Sequence, residues 1–258
     1  MTVYCLGTSH TYGEYEDYPT KMVEKTYCDF LSEKINYPVV NYGARGSHNL
    51  EILEVLMEII DKKDHYNPTA FIVELRESAS PALVEKHASI EILDKLKIIS
   101  RTREDPSQNI FSAKYEKYWR NENSWKTRST YNKDVRGYCK VHYDHNIMFN
   151  LTDIQILTTW HTIQNLCNYH NIPVKLFAFS PVNKIEDNKE NFKYLNGLNT
   201  FKWLNLDRNI FTFMTYVVND KGLDWAESHV GSCGHYTEVV HEYLADLIRD
   251  EVKEMIGK

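Results

Sequence analysis

Glycine is scarce in this chain, at 10 of 258 residues, and the few present are not spread evenly. Cysteine is also sparse. Cys5, Cys28, Cys139, Cys167 and Cys233 are scattered and odd in number, with no Cys-x-x-Cys pair. Reduced thiols are therefore expected, not a disulfide framework. No apolar run reaches the ~20 residues of a membrane span. The first residues lack a basic segment followed by an apolar one, so no secretory signal is expected and a cytoplasmic location is. No Gly-x-Gly-x-x-Gly occurs, which argues against a dinucleotide site. Gly43-Ala44-Arg45-Gly46 lacks the Gly-Lys-Ser/Thr ending of a phosphate loop. No internal repeat or low-complexity linker interrupts the chain.

What is present is ordinary for a globular protein: 42% hydrophobic and 26% charged residues. A chain of this length buries a large core without staples of metal or sulfur. The net charge of -6 argues against a general coat for nucleic acid. The balance is uneven, however. Residues 101–140 hold ten Lys/Arg against five Asp/Glu, a surplus of +5, which leaves -11 for the rest. Seven aromatics share that region: Phe111, Tyr115, Tyr118, Trp119, Trp125, Tyr131 and Tyr138.

The apolar pattern alternates. Short continuous runs at Val3–Leu6, 38–42, 70–73 and 174–179 read as strands buried on both faces. Helical spacing fills residues 20–34, 50–60, 152–170 and about 235–256 between or after them. This predicts an α/β fold with a central parallel sheet. The expectation is one domain spanning 1–258, with a helical and aromatic insertion at about 80–150. Residues 181–228 carry only a weak pattern.

Ligands of such sheets bind beyond the carboxyl ends of the strands. Six of the ten glycines fall there or just before the last helix: Gly7, Gly13, Gly43, Gly46, Gly231 and Gly234. Gly7-Thr8-Ser9-His10-Thr11 follows the first strand, and a loop with His229 and Gly234-His235 precedes the final helix. A serine becomes a nucleophile when a base takes its proton and a carboxylate orients that base. Bare backbone N–H groups at glycine turns can hold an oxyanion. By itself, a serine at a strand end also serves as a cap.

These blocks resemble the SGNH or GDSL hydrolases. The family's Gly-Asp-Ser-x-Thr is matched by Gly7-Thr8-Ser9-His10-Thr11, with Thr8 in place of Asp. Its Asn and Gly-x-x-Gly are matched by Asn41, Gly43 and Gly46, and its closing histidine block by His229 with Gly234-His235. The opening from Cys5 to Gly13 is also similar to divergent members encoded by tailed phages, which implies a virion association for such a protein. The resemblance implies a three-layer α/β/α fold of flavodoxin-like type and ester hydrolysis, with Ser9 as nucleophile and His229 as base. It implies Ser9 and Gly46 as backbone oxyanion donors.

Two departures stand out. The family's third block ends in an Asn that donates to the oxyanion; here Glu74-Leu75-Arg76-Glu77-Ser78 has none, which leaves Ser78 or Arg76. The family's acid lies three residues before the histidine, where this chain has Ala226. Glu227 and Asp224 are the nearby carboxylates, and a Ser–His dyad is the alternative. His10, Arg45 and His48 flank the site as substrate contacts or as packing and salt-bridge residues.

The leading reading is a serine esterase acting on a small acyl ester, such as an O-acetyl group on a carbohydrate. The alternative keeps the fold but has weak or lost hydrolysis, with binding through the 80–150 insertion. A third reading, an anion or nucleic-acid binder, follows the +5 segment. No cofactor and no metal are expected, since His142-Tyr143-Asp144-His145 lacks a clear further ligand.

Overall fold

The computed structural model describes residues 1–17, 20–44, 47, 49–75, 147–179, 197–208, 210, 212–231 and 235–257. Met1–Glu77 and Thr159–Lys258 together form one compact unit, and Ser78–Thr158 form a second. The basic aromatic segment and the 142–145 cluster lie outside the described residues.

The four apolar runs become strands β1 (Thr2–Gly7), β4 (Val39–Gly43), β5 (Pro68–Leu75) and β6 (Val174–Ala178). They pair in parallel in the order β4-β1-β5-β6. The chain leaves β1 toward β4 and then returns past it to β5. The carboxyl end of β1 therefore lies at the point where strand order reverses, the usual crevice for a ligand in such sheets.

Alternation along each strand divides the side chains between two faces. Val3, Cys5, Ala70, Ile72 and Phe177 join one core cluster. Helix α2 (Tyr27–Ile35) and the last helix, α8 (Glu238–Met255), cover that face with Leu31, Val240, Leu244, Ile248 and Val252. Helix α3 (Asn49–Asp61) packs on β1 and β5 and buries Ile52, Val55, Leu56 and Ile59. The sheet with helices on its faces is the expected α/β architecture. Helix α5 (Ile147–Tyr169) precedes β6, and the short helix α4 (Lys63–Tyr66) precedes β5.

Two segments depart from the sequence reading. The helical spacing seen over 20–34 begins late, at Tyr27. Before it lies a two-stranded antiparallel hairpin, β2 (Glu14–Asp17) with β3 (Thr20–Met22). The boundary is set by Thr26, whose N–H and hydroxyl both donate to Asp29 Oδ2 at 2.7 Å, a cap that fixes the first helical turn. The weakly patterned 181–228 region contains helices α6 (Phe213–Lys221) and α7 (Leu223–Ser228). In α6, Phe213, Met214, Thr215 and Val217 are all buried, so no single apolar stripe marks it.

Candidate active site

At the end of β1 the chain makes one helical turn, α1 (Ser9–Tyr12), closed by Gly13 in the left-handed region at φ 93°. Tyr12 N–H donates to Thr8 O at 2.9 Å and Gly13 N–H to Ser9 O at 3.0 Å. Strand β4 holds this turn from one side. Asn41 Nδ2 donates to Thr11 O at 2.7 Å, and its Oδ1 accepts the Gly43 N–H at 2.8 Å. Strand β5 holds it from the other, through Glu74. The Glu74 carboxylate accepts the N–H groups of Thr8 and Thr11 at 3.0 and 2.9 Å, and both threonine hydroxyls as well. The N–H of Ser9 has no partner among the described residues.

The partner of Ser9 is a histidine six residues beyond the one expected. Ser9 Oγ lies 2.6 Å from His235 Nε2. His235 is carried by a tight reversal in which Val230 bridges Tyr236, Gly231 N–H donates to His235 O at 2.7 Å, and Thr237 N–H donates to His229 O at 3.0 Å. Folding back in this way brings the end of the loop, not its beginning, to the sheet. Tyr236 is fully buried, and its ring with that of Phe179 stacks on His10, both at 4.9 Å between centroids. The His10 ring also lies 4.6 Å from that of His235. His10 is thus packed beside the pair.

The structure does not bring His229 to Ser9. His229 ends α7: its Nδ1–H donates to Trp225 O at 2.8 Å, and its ring stacks on Trp225 at 4.2 Å. That is the role of a helix-terminal side chain satisfying a late carbonyl. Asp224 and Glu227, expected to orient His229, are exposed on the same helix, and neither is bonded to His235. Arg45, Gly46, His48, Arg76 and Ser78 lie outside the described residues.

Buried polar contacts lie beneath the site. Thr11 Oγ1 lies 3.2 Å from the Tyr27 hydroxyl, and Tyr27 N–H donates to His241 Nδ1 at 3.3 Å. Burial pushes the Glu74 carboxyl above its ordinary range, against its hydrogen bonds to Thr11 and Thr8. Burial also raises the Tyr27 phenol well above the usual value, and lowers His241 to about 4. Among the described residues no group of three or more His, Cys, Asp or Glu side chains is arranged to hold a metal ion. Likewise, no helix among them is long and apolar enough to cross a membrane.

The sequence did contain a signal for His235. It stands in a Gly-His pair two residues before Thr237, the residue that precedes the terminal helix α8. Glu74 carries no such signal: it is the one acid in an apolar strand, and only the pairing of β5 with β1 sets it against the Ser9 turn.

No protein-family model and no curated protein matches the chain. Among solved structures, the crystal structure of TesA matches over 99% of both chains, with a TM-score of 0.52 and 11% sequence identity. The lipase Lip_vut3 from a goat rumen metagenome matches over 97% of this chain and 96% of its own, with a TM-score of 0.49 and 13% identity. A carbohydrate acetylesterase family member from Sinorhizobium meliloti covers 100% of this chain and 99% of its own, with a TM-score of 0.42 and 11% identity. The likeness to TesA is one of fold. Both have an α/β architecture, which the alternation of apolar runs and helical spacing in this chain predicts.

Proposed function

We propose that this chain is a serine esterase of the SGNH type that cleaves a small acyl ester, with Ser9 as nucleophile and His235 as general base. The observation that carries the reading is the 2.6 Å contact between Ser9 Oγ and His235 Nε2. It is within the hydrogen-bond reach that proton transfer requires. His235 Nε2 takes the hydroxyl proton as Oγ attacks the ester carbonyl. The same nitrogen then gives that proton to the departing alkoxide, leaving the acyl group on Ser9. A water molecule, deprotonated by His235, attacks the acyl-enzyme, and the acid is released as Oγ regains its proton. The Ser9 N–H is a donor for the oxyanion in both tetrahedral intermediates. An O-acetyl group on a carbohydrate is the substrate we favour.

The decisive comparison is between the two histidines. With p-nitrophenyl acetate, His235→Ala should lose about 10²–10⁴-fold in kcat, the range for a general base. His229→Ala should keep kcat near wild type and lose only helix-end stability. A fluorophosphonate probe should label wild type but not Ser9→Ala. The opposite ranking of the two histidine variants would return the base to His229. Equal labelling of wild type and Ser9→Ala would remove Ser9 from the reaction.

A second reading has one observation behind it: Asp224 and Glu227 stand exposed and away from His235. A catalytically weak binding protein on the same fold, using the 80–150 insertion, would show wild-type labelling but no measurable turnover.

A further inference from the structure

We propose that Glu74 is the positioning residue for Ser9: a buried carboxyl group that fixes the nucleophile's turn from the neighbouring strand. The inference rests on the reading of Ser9 and His235 as nucleophile and base.

Four donors converge on this one side chain. Its Oε2 accepts the Thr8 N–H, the Thr11 N–H and the Thr11 hydroxyl, and its Oε1 accepts the Thr8 hydroxyl. The bonds bracket Ser9, from the residue before it to the second residue after it. Glu74 is only 2% exposed, and no cation is paired with it among the described residues. A carboxylate taken out of water without a counter-ion is costly unless hydrogen bonds satisfy it. Here they do, and all come from the two threonines of the Ser9 turn.

The surrounding residues are shaped to the group. Leu6 pairs with Val73, so Glu74 emerges beside Gly7. A Cβ on Gly7 would overlap Thr11 Oγ1 and Glu74 Oε2, and would lie 2.7 Å from Glu74 Cβ. Only a glycine leaves room for the side chain to pass under the turn. Position 8 carries a hydroxyl, which can donate to Glu74; an acid there would set two carboxylates against each other. Because Thr11 gives its hydroxyl proton to Glu74, the Tyr27 phenol is left to donate to Thr11 Oγ1. The orientation of the whole set is thereby fixed. Glu74 touches no reacting atom. It acts by holding the backbone on either side of Ser9, so that Oγ meets His235.

Glu74→Gln keeps the shape and removes the charge. Turnover of p-nitrophenyl acetate should fall in kcat by about 10²-fold, the cost of a misplaced reacting group, with KM little changed. Fluorophosphonate labelling should slow by a similar factor. Adding Thr8→Asp to Glu74→Gln returns a carboxylate to the pair, which the new amide can bond, and should recover most of the lost kcat. Thr8→Asp alone should be impaired. A folded Glu74→Gln with wild-type kcat, while Ser9→Ala is dead, overturns the proposal. So does a loss that Thr8→Asp leaves unrepaired. Wild-type labelling of Ser9→Ala would instead overturn the reading beneath it. If Glu74→Gln does not fold, Thr11→Val removes one donor with little change in volume. It should then show reduced kcat at unchanged KM, and an unchanged kcat overturns the proposal.

Discussion

Ser9 and His235 show how far single residues can be read from a sequence. Ser9 was legible because a short apolar strand ends in Gly7 and the next polar residues must lie in the crevice. His235 was not separable from His229, since both sit in the polar segment before the last helix. Which of the two reaches Ser9 depends on the reversal that pairs Val230 with Tyr236, and that pairing is a tertiary fact. His241 makes a prediction at this scale. It is buried on α8, accepts the Tyr27 N–H, and has its basicity lowered to about 4 by burial. Asp29 opposes that shift and His235 adds to it. A histidine whose folded value lies below its unfolded value of 6.5 binds fewer protons in the native state. Stability should therefore fall as pH drops from about 6.5 to about 4, by about 3 kcal/mol in all. Glu74, shifted upward, has the opposite sign: its ionisation costs stability as pH rises through its folded value. Denaturant titrations at several pH values should show a shallower acid decline in His241→Asn, whose amide oxygen can still accept the Tyr27 N–H.

Among elements, the hairpin of β2 and β3 was the least visible in advance. Its strands are polar and short, and Met22 and Val23 mimic the start of the helical stripe that follows. The hairpin nevertheless bears on the site. Gly231, which opens the His235 reversal, lies directly against β2, and a Cβ there would collide with Tyr15 O and stand 3.0 Å from Tyr15 C. Both groups are backbone, so neither can step aside as a flexible side chain would. Gly231→Ala should push the reversal away from β2 and carry His235 off Ser9. We expect kcat to drop by about 10²-fold, as for a 1 Å misplacement. Substrate affinity should change less, and circular dichroism should report an intact fold. Unchanged kcat would mean that the hairpin yields instead. Helix α6 is hidden in the sequence for a different reason: Phe213, Met214, Thr215 and Val217 are buried on several sides, and its exposed polar residues, Asn219, Asp220 and Lys221, are confined to the last turn.

For the whole molecule, the core cluster joins β1, β5 and β6 to α2 and α8. Leu244 is fully buried on α8, in the same cluster as Leu31, Ile72 and Phe177. Leu244→Ala should cost about 2–5 kcal/mol through lost burial and the cavity left behind. Urea unfolding would show it as a lower midpoint at similar slope. Because α8 begins two residues after Tyr236, loosening it should also reduce activity at temperatures below unfolding. The sequence by itself determined the layer architecture, because strands buried on both faces must be continuously apolar and the helices covering them must be amphipathic. It also determined that most of the scarce glycines fall at strand ends and in the loop before the last helix. Only the tertiary structure decided which side chains meet within that frame. The register of β5 against β1 brings Glu74 under the Ser9 turn, and a loop folded back on itself delivers His235 in place of His229. Both depend on which segments meet in space, and local pattern carries no record of that.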